Sequence, residues 1–234
     1  MPCVLQSHII AWYHEYLRHP GNTRMEETIK GIFYWPKMQD QIKRYVKTCH
    51  ECQMSKKQCK KYGHLPPKQA ESIPWQRVNV DLIGPYTIKT SSKVHTLQCM
   101  TMIDPATSWF EIAQICTASS AETQRLFNAT WLSRYPRPQQ VRYDNGSEFK
   151  WLFSDLCDNY GLEKKTTTDY NLQANAIIEQ VHQVLGNALR TFELEKQDLS
   201  GEQPFEPFLT AVAYAMRSMY HIKLKATPGQ LVFG

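Results

Sequence analysis

No stretch of this 234-residue chain has the apolar length of a membrane span, and it reads as opening without a signal peptide. Cysteine is sparse and odd in number. Of seven, only Cys49 and Cys52 form a close pair, which fits a reducing compartment and a metal site better than a disulfide framework. Charge of one sign is scarce as well: a net charge of +5 permits a polyanionic partner without demanding one. The ordinary balance of 42% apolar and 21% charged residues argues against extended disorder. A chain of this length can hold one good core and a smaller module.

The smaller module comes first. Ile9, Ile10, Trp12, Tyr13, Tyr16 and Leu17 recur at helical spacing between Ser7 and Leu17. A second helix is expected from Thr23 to Ile32, with Thr23 as N-cap and Glu26 completing a capping box. A third is expected from Lys37 to Thr48, where Met38, Ile42, Tyr45 and Val46 form one stripe. Three short helices share too little core to be stable alone, so a staple is expected. His14 and His19 are separated by four residues, and Cys49 and Cys52 by two. Two imidazoles and two thiolates make a closed tetrahedral Zn²⁺ site, structural because no coordination position stays open for chemistry. Metal binding and folding would then be one event.

From Ser55 to Pro74 the residues Gly63, Pro66, Pro67 and Pro74 break any helix and give an extended connector. Its Lys56, Lys57, Lys60 and Lys61 suit a phosphate backbone, and equally a solvated linker. The resulting division is a zinc-binding helical domain over 1–57, a basic linker over 58–74 and a larger domain over 75–234.

In the larger domain Val78, Val80 and Leu82 alternate with Asn79 and Asp81, and Gly84-Pro85 is expected to stop the strand. Asp81 thus projects from the face opposite the valines, a costly place for a charge unless it is paired or metal-bound. Two further strands are expected near His95–Ile103 and Trp109–Ile115, with a turn at Asp104–Ser108 between them. A helix follows from about Ser119 to Tyr135. Next comes a short strand ending in Tyr143-Asp144-Asn145-Gly146-Ser147-Glu148-Phe149. Asp-Asn-Gly at a strand end makes a sharp turn with exposed backbone. It is an ordinary surface turn, or it is the place where a sheet-based enzyme puts a metal or phosphate site.

After a helix and a short strand from Leu162 to Thr166, a long helix carries the stripe Ile177, Val181, Val184, Leu185 and Ala188. Glu179 points away from it, on a polar face shared with His182 and Arg190. A last helix is expected from Phe205 to Tyr220. Asp81, Asp144 and Glu179 therefore stand in order on strand, strand end and helix. Three hard carboxylates suit Mg²⁺ or Mn²⁺, and two such ions serve an in-line displacement at phosphorus.

At these residues the chain resembles the integrases of retroviruses and long-terminal-repeat retrotransposons, with the gypsy-type elements nearest in pattern. The resemblance covers nearly the whole sequence. His14, His19, Cys49 and Cys52 match the family's zinc module. Phe33-Tyr34-Trp35-Pro36 and Cys49-His50-Glu51-Cys52-Gln53 stand where the gypsy branch carries its Tyr-Trp-Pro and Cys-x-x-Cys-Gln segments. Asp81-Leu82-Ile83-Gly84-Pro85, Asp144-Asn145-Gly146-Ser147-Glu148-Phe149 and Gln173-Ala174-Asn175-Ala176-Ile177-Ile178-Glu179 are similar to its three catalytic motifs.

The resemblance implies an α/β core of ribonuclease H-like type, a mixed five-stranded sheet with flanking helices, behind a small all-α zinc-binding domain. It implies trimming of DNA ends and their joining to target DNA, catalysed by Asp81, Asp144 and Glu179 with Mg²⁺ or Mn²⁺. The partners implied are double-stranded DNA and further copies of the chain, without a membrane, and the place is the nucleus. Lys56, Lys57, Lys60, Lys61, His182 and Arg190 are the candidate DNA contacts.

Leu172 and Gln180 depart from the branch's usual Pro and basic residue. The chain ends at Gly234, where relatives continue into another DNA-binding domain, which reads as a polyprotein fragment or a decayed copy. Two other readings fit parts of the pattern: an inactive element-derived nucleic-acid-binding protein, and a ribonuclease H-like nuclease. Three retained carboxylates argue against the first, and the zinc module against the second.

Overall fold

The computed structural model describes residues 2–55, 73–89, 94–166, 184–189, 205–222 and 224–234. Glu179, His182, Arg190, Lys56, Lys57, Lys60 and Lys61 lie outside those residues. The chain forms two compact units. One comprises residues 1–65, 184–198 and 210–234; the other comprises 66–183 and 199–209. Residues 210–234 thus group with the amino-terminal helices rather than with the sheet.

In the helical unit, α1 spans Cys3–Tyr16, α2 Asn22–Lys30, α3 Met38–Thr48 and α4 His50–Ser55. Ile10, Tyr13, Leu17, Met25, Ile29, Trp35, Met38 and Ile42 form its core, joined by Ala215 and Met219. Full burial of side chains this size stabilises by about 1.5–3 kcal/mol each. The Trp35 indole N–H donates to Gln41 at 2.7 Å, and the Gln41 amide donates to Gln6 at 3.1 Å, so the polar edge of the core is matched. The capping box expected at Thr23 is absent. Gly21 is the N-cap of α2 and makes no side-chain cap bond. Glu26 is instead buried and paired with Lys30 at 2.5 Å.

The other unit is built on a five-stranded sheet in the order β3-β2-β1-β4-β5. The strands are β1 Arg77–Lys89, β2 Val94–Ile103, β3 Phe110–Gln114, β4 Gln140–Tyr143 and β5 Glu163–Thr166. β1 to β3 pair antiparallel, whereas β4 runs parallel to β1 and β5 parallel to β4. The mixed sheet is the expected one, with β1 at its centre.

One expectation for β1 fails. The strand does not stop at Gly84-Pro85 but continues to Lys89, with a register shift between Ile83 and Tyr86. Gly84 has φ +98°, and a Cβ there would lie 2.7 Å from the Leu97 carbonyl oxygen, so only glycine lets the two backbones approach. Bulge and close approach together keep β1 paired through a dipeptide that normally ends a strand.

The turn between β2 and β3 closes around Asp104, which is fully buried. Its carboxylate accepts from the Trp75 N–H at 3.3 Å, the Ala106 N–H at 3.0 Å and the Thr107 hydroxyl at 2.7 Å. After β3, α5 spans Ser120–Phe127, with the Ser119 hydroxyl accepting from the Glu122 N–H at its start. The helix expected to run on to Tyr135 instead widens into a π-helical turn at Asn128–Leu132. A 3₁₀ turn at Ser147–Phe149 precedes α6, Leu152–Asn159, and Phe127 packs on Phe153 at 5.4 Å.

Candidate metal centres

The spacing of the two histidines sets the geometry of the first centre. Residues five apart on a continuous helix diverge by about 140°, so His14 and His19 cannot face one ligand from a single helix. The helix ends between them. Arg18 and His19 both adopt left-handed backbone, with φ 56° and 58°, and the His19 N–H donates to the His14 carbonyl at 2.7 Å. That reversal folds His19 back until the two rings lie 4.6 Å apart.

Cys49 ends α3 and Cys52 lies in α4, so the two-residue interval spans the junction of two helices. Cys52 Sγ is 3.3 Å from His14 Nε2 and 3.7 Å from His19 Nδ1, and Cys49 Sγ is 3.4 Å from His19 Nδ1. A tetrahedron with Zn–S and Zn–N bonds of ordinary length has S···N edges of about 3.5 Å. The three spacings match it, and all four ligand atoms lie within 4.8 Å of one another. Burial pushes the Cys49 thiol up to about 12, so a bound cation is what would favour its thiolate. The residues fit structural zinc, and the four ligands expected from spacing come together.

The second centre lies on β1 and β4. Asn79 is the register partner of Arg142 across the parallel pair. Two residues beyond Asn79 stands Asp81, and two beyond Arg142 stands Asp144. The paired register stops at Asn79 and Arg142, so each aspartate lies two residues past it, Asp81 still within β1 and Asp144 one residue beyond β4.

Asp81 is half-buried, and its Oδ1 accepts from the Leu82 N–H at 3.0 Å. Asp144 is exposed, and its Oδ1 accepts from the Gly146 N–H at 2.9 Å, which is the expected Asn-Gly turn. The Glu148 carboxylate folds back over Gly146, lying 2.5–2.6 Å from where a Cβ would be. Two residues before Asp81, Asn79 is buried, and its side-chain oxygen has no hydrogen-bond partner among the described residues. Asp81 and Asp144 are hard oxygen donors, a ligand type that suits Mg²⁺ or Mn²⁺ rather than a soft metal. Glu179, the third expected carboxylate, is outside the described residues.

Two features of this region escaped the sequence reading: the curled Glu148, and the backbone of Trp151, which has φ 52° and a side chain left in solvent. A Gly followed two residues later by Glu gave some hint of the first; no sequence signal announced the second.

The helical zinc-site module and the mixed sheet both have counterparts among retroviral and retrotransposon integrases. Residues 1–58 match the integrase zinc binding domain family. The chain is similar to the gypsy retrotransposon integrase-like protein 1 of Bos taurus, 26% identical over 90% of this chain and 40% of that protein. The first curated relatives it matches are much longer, and it spans no more than 40% of their length. In fold it is similar to a chain of the simian T-cell lymphotropic virus intasome solved with the PP2A regulatory subunit B56 gamma. The TM-score there is 0.64, with 14% identity, 96% of this chain and 72% of that one covered. It is similar also to the HTLV-2 integrase catalytic core domain solved with magnesium, at TM-score 0.52 and 17% identity, covering 68% of this chain and 96% of that one.

Proposed function

We propose that this chain trims DNA ends and joins them to target DNA by phosphoryl transfer at Asp81 and Asp144, with Glu179 as the third ligand. The observation that supports the reading is that β4 pairs parallel to β1 as far as Asn79 and Arg142, with Asp81 and Asp144 each two residues further on. Asp81, Asp144 and Glu179 would hold Mg²⁺ or Mn²⁺. When bound, such ions favour a hydroxide or alkoxide nucleophile and offset the charge on the leaving oxygen.

The chain's own residues supply the positioning. Backbone N–H groups of Leu82 and Gly146 each fix one carboxylate oxygen, so neither side chain must be ordered when substrate arrives. Thr101 holds the Asp81 carbonyl at 3.2 Å and anchors the site to β2. Water as nucleophile gives end trimming, and a DNA 3′-hydroxyl gives joining, so one site performs both reactions. Double-stranded DNA is the substrate class, further copies of the chain are its partners, and chromosomal target DNA would place the reaction in the nucleus. Lys56, Lys57, Lys60, Lys61, His182 and Arg190 are the proposed phosphate contacts.

A strand-transfer assay on labelled duplex ends tests the proposal. Products are expected with Mg²⁺ or Mn²⁺ and should vanish in Asp81→Asn. Cleavage of RNA–DNA hybrid without joining of DNA ends would redirect the reading to a ribonuclease.

A further inference from the structure

Trp151 stands in the sheet-bearing unit at a corner between the 3₁₀ turn and α6, with φ 52° and ψ −115°. For a bulky residue a positive φ is a genuine outlier. Its indole gains no burial in exchange, being 78% exposed. Such a conformation persists only where neighbouring structure over-determines it, and strain of this kind concentrates at functional sites.

The over-determination is visible. The Ser120 hydroxyl donates to the Lys150 carbonyl and accepts from the Phe153 N–H at 3.1 Å, so one side chain clamps the backbone on both sides of Trp151. The Trp151 carbonyl accepts the Asp155 N–H at 2.8 Å. Phe149 and Phe153, two residues away on either side, are buried and pack on the Tyr143 ring at 5.2 and 5.3 Å. Tyr143 directly precedes Asp144. The corner that presents Trp151 is therefore mounted on the residue that leads into the carboxylate pair.

From this placement we infer that Trp151 is a stacking platform for an unpaired DNA base beside the reacting phosphodiester. The inference rests on the reading of Asp81 and Asp144 as a phosphoryl-transfer site. A base needs one exposed aromatic face, and stacking is tolerant of sequence. Lys150, exposed and adjacent, suits the phosphate of the same strand. A protein partner would ask for a contiguous apolar patch, whereas Trp151 and half-exposed Leu152 lie between Lys150 and the exposed Asp155. The base has two possible sources, a frayed end of the donor duplex or a step opened in the target, and both offer the same π-face.

The test uses the full zinc-loaded chain with no added Mg²⁺ or Mn²⁺, so that base stacking is read without catalysis. A 2-aminopurine base is placed in turn in an unpaired donor end, in a mismatched target duplex and in a fully paired duplex. The wild type should quench the unpaired probe, Trp151→Phe should retain most of the effect, and Trp151→Gly should lose it with a roughly tenfold drop in affinity. Whichever unpaired arm is quenched names the source. Trp151→Gly should also melt at the same temperature as wild type or higher, because glycine accepts this backbone freely. A merely structural Trp151 would show the reverse, a lower melting temperature with quenching intact, and that result overturns the inference. Equal quenching of paired and unpaired probes by wild type and variant overturns it too. Quenching that depends on Trp151 in a chain unable to join ends would uphold the stacking site while removing the catalytic reading.

Discussion

Asp81 and Asp144 each lie two residues past the last pair of the parallel β1–β4 register, Asn79 with Arg142. Sixty-two residues separate them in sequence. The intervening chain supplies the hairpin partner β2, the edge strand β3 and helix α5 before returning to the other side of β1.

The zinc centre should govern folding of the amino-terminal helices. Cys52 is buried against His14 and His19, so Cys52→Ser leaves three protein ligands around the site. Chelation of the wild type, or this substitution, should abolish most of the helical circular dichroism contributed by residues 3–55. A spectrum unchanged in excess chelator would contradict the zinc assignment.

Gly84 should tolerate no side chain. Alanine there meets the Leu97 carbonyl oxygen at 2.7 Å in a backbone of φ +98°. Gly84→Ala is expected to cost on the order of 2–3 kcal/mol, from left-handed strain together with the clash. The urea midpoint measures it, and an unshifted midpoint would show that the β1 bulge opens at little cost.

Asp104 should be a folding residue despite being an acid near a turn. Three donors converge on its buried carboxylate, and one of them is the N–H of Trp75, just before β1. Asp104→Ala strands all three, and a loss on the order of 3 kcal/mol is expected. Hydrogen exchange at the Trp75 amide should accelerate in step with it. Activity per folded molecule should not change, which separates Asp104 from Asp81 and Asp144.

Much of this arrangement is legible in the sequence where a short interval carries a chemical constraint. His14-x₄-His19 and Cys49-x₂-Cys52 announce a tetrahedral site because few other uses need two imidazoles and two thiols at that spacing. The alternation around Asp81 and the Asn-Gly after Asp144 likewise gave the strand and the turn. What failed was decided by distant partners. Gly84-Pro85 reads as a stop, yet pairing with β2 carries the strand through it. Thr23 and Glu26 have capping-box spacing, yet Glu26 is buried against Lys30 and Gly21 takes the cap. Residues 210–234 join the amino-terminal unit through contacts such as the Tyr220 N–H on the Thr28 hydroxyl, which no local pattern encodes. Trp151 owes its backbone to Ser120, thirty-one residues earlier.

Glu148 should matter less than Asp144, although its carboxylate curls over Gly146. Glu148→Gln keeps the shape and the 3₁₀ turn, and its rate of DNA-end joining should stay within about tenfold of wild type. A loss as deep as that of Asp144→Asn would make Glu148 a metal ligand.

Phosphoryl transfer at the proposed carboxylates is measured as end trimming and strand transfer, side by side, in Asp81→Asn, Asp144→Asn, Glu179→Gln and the Asp81→Asn/Asp144→Asn double variant. One DNA-end substrate serves all, with Mg²⁺ and with Mn²⁺. The amides keep the shapes and remove the negative charge that holds the ions. Each single variant should lose both reactions together by at least about a hundredfold, and the double variant should be little worse than either single, as expected of residues acting as a unit. Wild-type joining activity in Asp81→Asn or Asp144→Asn would contradict the account.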